Sequence, residues 1–243
     1  MISGIEMLKD KGTVRRKMDY DFKGKRIFLT GGSGGIGMAI SQAYARYGGG
    51  ITAPSHSELD LSNEKSIQGY LEKDSSCYDI FIHSAGVNTL AGIEEINGEI
   101  MEEAFYVNCI APVILLNRFV KGMRDRKAGK IIFISSLYAS ISRERRVAYS
   151  ASKNALTGIM KSMALELAQD GIMVNCVAPG YVMTKMTQKN LSMDVIEKIR
   201  NQIPTKRFQT AEEIADMALF LTSDKNRSIT GQLITVDGGF LCR

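Results

Sequence analysis

A tyrosine and a lysine four positions apart, Tyr149 and Lys153, stand in the stretch "AYSASKNAL". On a helix this spacing places both side chains on one face. A lysine ammonium beside a phenol favours the phenolate and lowers the tyrosine pKa from its reference of about 10, so the pair can exchange a proton near neutral pH. Exposed Tyr/Lys pairs share this spacing in many helices, and the assignment therefore needs support from the rest of the chain.

A serine at the end of an apolar run upstream gives some of that support. The run "KIIFISS" (130–136) predicts a strand that ends at Ser135 and Ser136. In an open parallel sheet, ligands bind outside the carboxyl ends of the strands. The hydroxyl of Ser136 is therefore expected where a ligand would bind.

A glycine-rich turn, "LTGGSGGIGMAI" (29–40), follows the predicted strand "RIFLT" (26–30) and opens a predicted helix (36–47). Free N–H groups and the positive end of the helix dipole attract phosphates at such a position. Glycine lets the backbone approach a ligand closely. The spacing Gly31-x-x-x-Gly35-x-Gly37 fits the pyrophosphate of a dinucleotide, although by itself it also fits a tight connection.

The elements that must position these residues alternate along the chain. Predicted strands cover 26–30, 51–53, 58–61, 79–86, 130–136, 172–180 and 232–239. Predicted helices cover 36–47, a segment from Ser62, 99–122, 149–169 and a segment capped by Thr210 with Glu213 in a capping-box spacing. Apolar strands alternating with helices predict the α/β class: a single Rossmann-type, doubly wound parallel β-sheet with helices on both faces.

Composition limits the function classes. The chain has 243 residues and a net charge of +5, and eight Lys/Arg against four Asp/Glu in residues 1–26 account for +4 of it. The nearly neutral remainder argues against a nucleic-acid-binding face. We expect residues 1–20 to be a flexible basic extension, with a partner-binding arm as the alternative, and residues 21–243 to form one catalytic domain.

Targeting and metal signals are missing from the sequence. No stretch reaches the roughly 20 apolar residues that a membrane span needs, and the N-terminus does not resemble a secretory signal. Four scattered cysteines without a CxxC pair, and only two histidines, predict neither a disulfide framework nor a metal site. We expect a cytoplasmic protein with reduced thiols.

From about Lys23 to Phe240 the chain resembles the classical short-chain dehydrogenases/reductases. The turn TGGSGGIG (30–37) matches the family's TGxxxGxG, and HSAG (83–86) stands where the family usually has NNAG. APGYVMT (178–184) matches its PG motif, and TGQLITVDGG (230–239) matches its C-terminal signature. "IPTKRFQTAEEIADMALFLTSD" further resembles the 3-oxoacyl-ACP reductase branch.

The resemblance implies a catalytic tetrad of Asn108, Ser136, Tyr149 and Lys153. Tyr149 would exchange a proton with the substrate oxygen, while Ser136 would hydrogen-bond that oxygen. Lys153 would depress the tyrosine pKa and hold the nicotinamide ribose, and Asn108 would hold its helix open around a water that relays protons.

The resemblance also implies a cofactor-binding set. The residues assigned to it are Gly31, Ser33, Gly35, Ile36, Gly37, Ser55, His56, Asp60, Leu61, Ser84, Ala85, Gly86, Tyr149, Lys153, Pro179, Gly180, Val182 and Thr184. The segment 48–62 is too short for the helix that the family usually places there. It offers no acid at the end of the second strand to repel a 2′-phosphate, and Ser55, His56 or Ser57 could donate to one, which favours NADP(H) over NAD(H).

These observations predict an NAD(P)(H)-dependent ketoreductase of the 3-oxoacyl-ACP reductase-like type, acting as a homotetramer or homodimer. A reductase or dehydrogenase of a nucleotide-linked sugar or polysaccharide precursor is the alternative, and a noncatalytic dinucleotide-binding sensor or scaffold is the rival from another class. Arg143, Arg145 and Arg146 precede Tyr149. Three arginines at this place could attract an acidic or carrier-bound substrate. The alternatives are that they lie in a solvated loop or at a subunit contact.

Overall fold

The computed structural model of the protein describes residues 7–10, 13–16, 19–184, 187 and 192–242. Its strands are β1 (Met7–Asp10), β2 (Thr13–Arg16), β3 (Arg26–Thr30), β4 (Gly50–Thr52), β5 (Ile80–His83), β6 (Gly129–Ile134), β7 (Ile172–Pro179) and β8 (Leu233–Val236). Its longer helices are α1 (Gly35–Arg46), α2 (Glu64–Lys73), α3 (Gly98–Phe105), α4 (Ala111–Asp125), α5 (Val147–Leu167), α6 (Met193–Gln202) and α7 (Ala211–Thr222).

Strands β3 to β8 form one six-stranded parallel sheet in the order β4-β3-β5-β6-β7-β8. From β3 the chain first moves outward to β4 and then returns to β5 on the other side of β3. This reversal makes the carboxyl ends of β3 and β5 the switch point at which open α/β sheets bind ligands. The predicted fold class is confirmed.

Helices cover both faces of the sheet, and the side chains of β5 show how. Phe81 packs in a core cluster with Phe119 of α4, whereas Ile80 and Ile82 pack in a second cluster with Ile214 of α7. Successive strand residues point to opposite faces, so each face has its own apolar core. All four residues of β5 are buried, as expected for a strand covered on both sides.

The segment after β4 differs from the prediction. The sequence predicts a strand over 58–61, but the chain turns there and pairs with no strand. Ser55 donates its backbone N–H and its hydroxyl to Glu58 at 2.8 and 2.7 Å, and such local side-chain bonds favour turns over strands. The apolar alternation in 58–61 reflects the burial of Leu59 and Leu61 against the core instead of strand pairing.

Two helix predictions are refined. Helix α2 begins at Glu64, after Asn63 caps it by accepting from the Ser66 N–H, not at Ser62 as predicted. The predicted helix over 99–122 is α3 and α4 joined by a π-helical turn at Tyr106–Ile110. The capping box at the start of α7 is present as predicted, between Thr210 and Glu213.

The N-terminal region contributes two features. Strands β1 and β2 pair antiparallel, in a segment that the sequence assigns to an extension. Tyr20 is buried, with its ring edge-on to Tyr47 at a centroid distance of 5.4 Å. Among the helices of the described ranges, none has the length and apolar character needed to cross a bilayer.

Candidate active site

The glycine turn between β3 and α1 lies directly against the chain that leaves β5. Gly31 has a φ of +72°, and a Cβ there would lie 2.5 Å from the backbone nitrogen of Ala85. A Cβ on Gly37 would lie 2.0 Å from the carbonyl oxygen of Gly31. Side chains are excluded at both positions, so the backbone itself forms the floor of the switch point.

The N-terminus of α1 is open to an anion. Its N-cap residue, Gly34, makes no side-chain capping hydrogen bond, and the first turn carries no acidic residue. The first N–H groups of a helix lack intrahelical partners, and the helix dipole adds positive potential there. This end of the helix therefore fits a pyrophosphate group.

A cleft of about 250 Å³ extends from this turn toward the end of β4. Seven predicted cofactor residues line it: Gly31, Ser33, His56, Asp60, Leu61, Ala85 and Gly86. The cleft thus follows the path that a dinucleotide would take from the glycine turn to its adenosine end. The described residues fit a nicotinamide dinucleotide.

Sequence reasoning missed seven further lining residues. They are Thr30, Pro54, Leu59, Ser62, Val87, Glu103 and Val107. Thr30 and Val87 were within reach of prediction, because they lie at or just beyond the carboxyl ends of β3 and β5. Glu103 and Val107 lie on the α3 segment and its π turn, and only the tertiary packing brings them to the cleft.

The adenosine end departs from the predicted donor set. Ser55 and Ser57 do not line the cleft; both Ser55 donors are bound to Glu58, and the Ser55 and Ser57 hydroxyls are 3.0 Å apart. In this structure Ser55 and Ser57 thus bond to Glu58 and to each other, outside the cleft. His56 lines the cleft with its side chain 84% exposed.

Asp60 is fixed at the same end of the cleft. Its carboxylate accepts the Ser62 N–H at 2.9 Å and the Ser62 hydroxyl at 2.7 Å. These hydrogen bonds lower the pKa of Asp60, with a smaller contribution from His56. Asp60 is therefore an ionised and oriented acceptor at neutral pH.

Tyr149 and Ser136 meet where β6 passes into α5. The hydrogen bond from Ser136 lowers the pKa of Tyr149, but the larger effect of burial raises it above the ordinary value. Lys153, whose Nζ lies 5.7 Å from the centre of the Tyr149 ring, does not bring this pKa below the ordinary value. Tyr149 is therefore a protonated phenol at neutral pH.

Lys153 is almost completely buried, and its Nζ donates to the backbone carbonyl of Ile134 at 2.9 Å. Nζ lies 5.7 Å from the centre of the Tyr149 ring. Burial lowers the pKa of Lys153 to about 8, because weak opposing effects of Cys109 and Cys176 do not offset the lost hydration. In the described chain this ammonium takes part in no ion pair.

Asn108 lies in the π-helical turn between α3 and α4 and is fully buried. Its Nδ2 donates to the Val87 carbonyl at 3.1 Å and to the Ser152 hydroxyl at 2.9 Å, while its Oδ1 accepts the Val87 N–H at 2.9 Å. π turns widen a helix and frequently occur at functional sites. The widened turn ties the loop after β5 to the helix that carries Tyr149 and Lys153.

The remaining predicted residues frame the same site. A Cβ on Gly86 would lie 3.0 Å from Asn108 Oδ1 and 3.5 Å from Lys153 Nζ, and a Cβ on Gly35 would lie 2.9 Å from Thr184 Cγ2. The chain that leaves β7 at Pro179 therefore runs through Gly180 and Val182 and reaches the glycine turn at Thr184. The Ser84 N–H donates to the Thr30 carbonyl, and the half-buried Ile36 packs against the second core cluster.

His83 occupies the position of an asparagine in the family pattern. It is fully buried, and its Nδ1 lies 2.8 Å from the Thr30 hydroxyl, which also accepts the Ala85 N–H at 3.3 Å. Burial, with a smaller effect of the Lys153 charge, lowers the pKa of His83 to about 3. A neutral imidazole thus joins the ends of β3 and β5. Across the described ranges, no three metal-ligating side chains form a group that could hold an ion.

The family profile described as enoyl-(acyl carrier protein) reductase matches residues 39–241. The 3-oxoacyl-[acyl-carrier-protein] reductase of Escherichia coli is 32% identical over 240 residues, which are 90% of this chain and 98% of that protein. The chain belongs to the short-chain dehydrogenase/reductase family. It is accordingly an NAD(P)-dependent oxidoreductase acting on a CH–OH/C=O pair.

Other members of the family are similar over nearly their whole length. D-threitol dehydrogenase of Mycolicibacterium smegmatis is 29% identical, covering 92% of this chain and 96% of that protein. A Beutenbergia cavernae protein assigned as an NAD(P)-dependent gluconate 5-dehydrogenase, solved with NADP at low occupancy, superposes with a TM-score of 0.86 at 28% identity. That likeness covers 92% of this chain and 99% of the other.

Removing the buried charge of Lys153 is expected to stabilise the protein. The lowered pKa means that burial of the ammonium costs folding free energy at neutral pH. Between pH 8 and the ordinary lysine pKa of about 10.5, the unfolded chain binds more protons at this site than the folded chain does. The free-energy cost of burying the ammonium therefore falls as pH rises through this range. The free energy of unfolding of Lys153→Met should exceed that of the native chain by about 1–3 kcal/mol at pH 7, and this difference should shrink toward pH 10.

Urea unfolding at pH 7 and pH 10 measures this gain for Lys153→Met and for the control Lys161→Met on the same helix. The control should match the native chain at both pH values. A Lys153→Met variant that is less stable than the native chain at pH 7 would show that the ammonium contributes net stability.

Proposed function

We propose that this protein is a ketoreductase of the 3-oxoacyl reductase type, in which Tyr149 protonates the oxygen of a ketone during hydride transfer. The observation that carries the proposal is the convergence of Tyr149, Ser136, Lys153 and Asn108 on the carboxyl edge of the sheet, beside the glycine turn. Hydrogen bonds of Asn108 and Lys153 link this group to the loop after β5, to α5 and to the end of β6.

When bound, the nicotinamide supplies the hydride that adds to the carbonyl carbon and is thereby oxidised. Tyr149 gives its phenolic proton to the carbonyl oxygen, and the product is a secondary alcohol. The raised pKa of Tyr149 keeps this proton on the phenol at neutral pH, which suits reduction. Ser136 donates a hydrogen bond toward the same oxygen, where negative charge develops.

Lys153 and Asn108 act around this proton transfer. The Lys153 ammonium, held by the Ile134 carbonyl, places positive charge beneath the Tyr149 ring. Once the phenol has given up its proton, that charge stabilises the phenolate. Asn108 positions the loop after β5 through its paired hydrogen bonds to Val87.

For the cofactor we propose NADP(H) over NAD(H). Glu58, the acid nearest the end of β4, turns to Ser55 and does not line the cleft, whereas the exposed His56 imidazole does. His56 Nδ1 lies 3.8 Å from the Asp60 carboxylate, and its other ring nitrogen, Nε2, can donate to a 2′-phosphate. The NADP bound to the Beutenbergia cavernae relative supports the same choice.

We also propose a homotetramer or homodimer, working in the cytoplasm. Leu165 of α5 is 83% exposed, and Ile110 and Val113 expose apolar surface at the start of α4. Apolar side chains exposed on helices are typical of a subunit contact, and a second copy of the chain would cover them. The scattered free cysteines support a reducing compartment.

Replacing Tyr149 by phenylalanine should abolish reduction while sparing cofactor binding. The substitution removes only the hydroxyl that carries the proton, so we expect kcat to fall by at least about 100-fold. Turnover is followed as NADPH oxidation with 3-oxobutanoyl-N-acetylcysteamine, and binding by nicotinamide fluorescence, which the absence of tryptophan keeps clear of protein emission. Tyr70→Phe, on α2, is the matched control and should keep both properties.

An active Tyr149→Phe variant would overturn the assigned role. A native chain that binds NADPH but reduces no ketone would favour the noncatalytic sensor instead. A native chain that reduces crotonyl-N-acetylcysteamine and not the 3-oxo thioester would move the chemistry to a carbon–carbon double bond.

Loss of the His56 imidazole should weaken NADPH binding and leave NADH binding unchanged. A lost hydrogen bond to a charged phosphate predicts a Kd for NADPH that rises about 5- to 10-fold in His56→Ala. Fluorescence titrations of both cofactors measure it, with Ser57→Ala as the control outside the cleft. Tighter binding of NADH than NADPH by the native chain would contradict the proposed preference.

A charge placed on the exposed apolar face of α5 should break the subunit contact. We expect Leu165→Glu to reduce the mass measured by light scattering, because a buried unpaired carboxylate opposes association. Ile93→Glu, an equally exposed apolar position in a turn, should keep the native mass. A native chain whose mass by light scattering is that of a monomer would contradict the proposed homotetramer or homodimer.

A further inference from the structure

Three arginines precede the catalytic tyrosine, and two of them have structural partners. Arg145 forms an ion pair with Glu95 at 2.7 Å. Arg146 donates to the Asn88 side chain, and its guanidinium lies 5.5 Å from the centre of the Tyr138 ring. Their positive charges are therefore used in holding the loop between β6 and α5.

Arg143 differs from its two neighbours. Its side chain is exposed, and in the part of the chain that the structure describes it forms no ion pair. Burial and the Tyr138 hydroxyl raise the pKa of Tyr181 to about 12, while the charge of Arg143 and its hydrogen bonding to Tyr181 lower it. The Tyr181 hydroxyl in turn lies 3.5 Å from the Tyr138 hydroxyl.

These three residues, Arg143, Tyr138 and Tyr181, form a polar edge beside the reacting groups. The ring of Tyr138 lies 6.1 Å from the ring of Tyr149, centre to centre, and its N–H donates to the Ser136 hydroxyl. Tyr181 directly follows the Pro179-Gly180 turn at the end of β7. The polar edge therefore borders the space that a ketone must occupy to reach Tyr149 and Ser136.

Glu144 directly follows Arg143 in the chain but forms no ion pair with it. From Gly171 to Met193 the chain contains no aspartate or glutamate, so neither β7 nor the segment after it offers Arg143 an acid. A guanidinium presents parallel N–H donors that match the two oxygens of a carboxylate, and the two tyrosine hydroxyls can add hydrogen bonds. The edge fits a ligand carboxylate better than a neutral ester or thioester.

We infer that the substrate of this reductase is a short ketone bearing a free carboxylate, which Arg143 binds with Tyr181 and Tyr138 while Tyr149 protonates the ketone oxygen. The inference rests on the proposed reductase function and adds the substrate class to it. The carboxylate is bound and not transformed; the electron balance is that of ketone reduction given above.

The test compares charged and neutral probes of the same carbon skeleton. Steady-state NAD(P)H oxidation is measured with 3-oxobutanoate and methyl 3-oxobutanoate, and with 4-oxopentanoate and its methyl ester. The native chain should prefer at least one acid over its ester. Arg143→Gln should lower kcat/KM for that acid about 10-fold or more, mainly through KM, and leave the esters unchanged.

Two further variants separate binding from structure. Arg143→Lys keeps the charge without the paired donors and should recover part of the lost affinity for the acid. Arg145→Gln removes a neighbouring arginine that is already paired with Glu95, and it should leave the ratio of acid to ester unchanged. Thermal melting of each variant establishes that the chain is folded.

The outcomes distinguish this inference from the proposed function. The inference would be overturned if the native chain reduced the esters with the same kcat/KM as the acids. It would also be overturned if Arg143→Gln changed the kinetics of acids and esters equally. Both results would leave the proposed reductase function standing. Activity with 3-oxobutanoyl-N-acetylcysteamine but with neither acid would likewise point to a neutral acyl substrate. If no ketone of any kind supports oxidation of NAD(P)H, the proposed function itself is overturned.

Discussion

The active site depends on one physical constraint: the ammonium of Lys153 is buried, and burying a charge costs free energy. Burial removes its hydration, and the carbonyl of Ile134 at the end of β6 accepts one of its protons. Since no described carboxylate pairs with it, the charge stays uncompensated beneath Tyr149. A cation held without a permanent partner is available to stabilise the phenolate that the reaction transiently creates.

This arrangement requires that separate elements meet at one edge of the sheet. The π turn brings Asn108 against both the loop after β5 and the Ser152 hydroxyl of α5. Gly31 allows the turn after β3 to touch the backbone of Ala85, so that the cofactor cleft and the catalytic group share a wall. The position of α5 over β6 then decides the distance between Lys153 Nζ and the Ile134 carbonyl, while the helix itself holds Lys153 one turn from Tyr149. Stability is given up locally for this geometry, as is common in active sites.

The shortened crossover after β4 shows how local hydrogen bonds redirect specificity. Glu58 occupies both donors of Ser55 and draws that serine out of the cleft, while the exposed His56 remains at its adenosine end. The loop before α5 works in a similar way, because ion pairing and ring contacts engage Arg145 and Arg146 but leave Arg143 to the substrate side. In each loop one polar side chain stays exposed toward ligand space: His56, beside Asp60, in the first and Arg143 in the second.

The sequence by itself determined the parallel sheet, the glycine turn, the Tyr149/Lys153 helix and the capping box at Thr210. Each depends on a local property of the chain: the period of its apolar residues, the spacing of capping residues or the spacing of glycines. It could not exclude a strand at 58–61, since the burial of Leu59 and Leu61 imitates strand alternation. It could not place Glu103 or Val107 in the cleft, or predict the raised pKa of Tyr149. Those depend on burial and on contacts between residues far apart in the chain, and only the tertiary structure decides them.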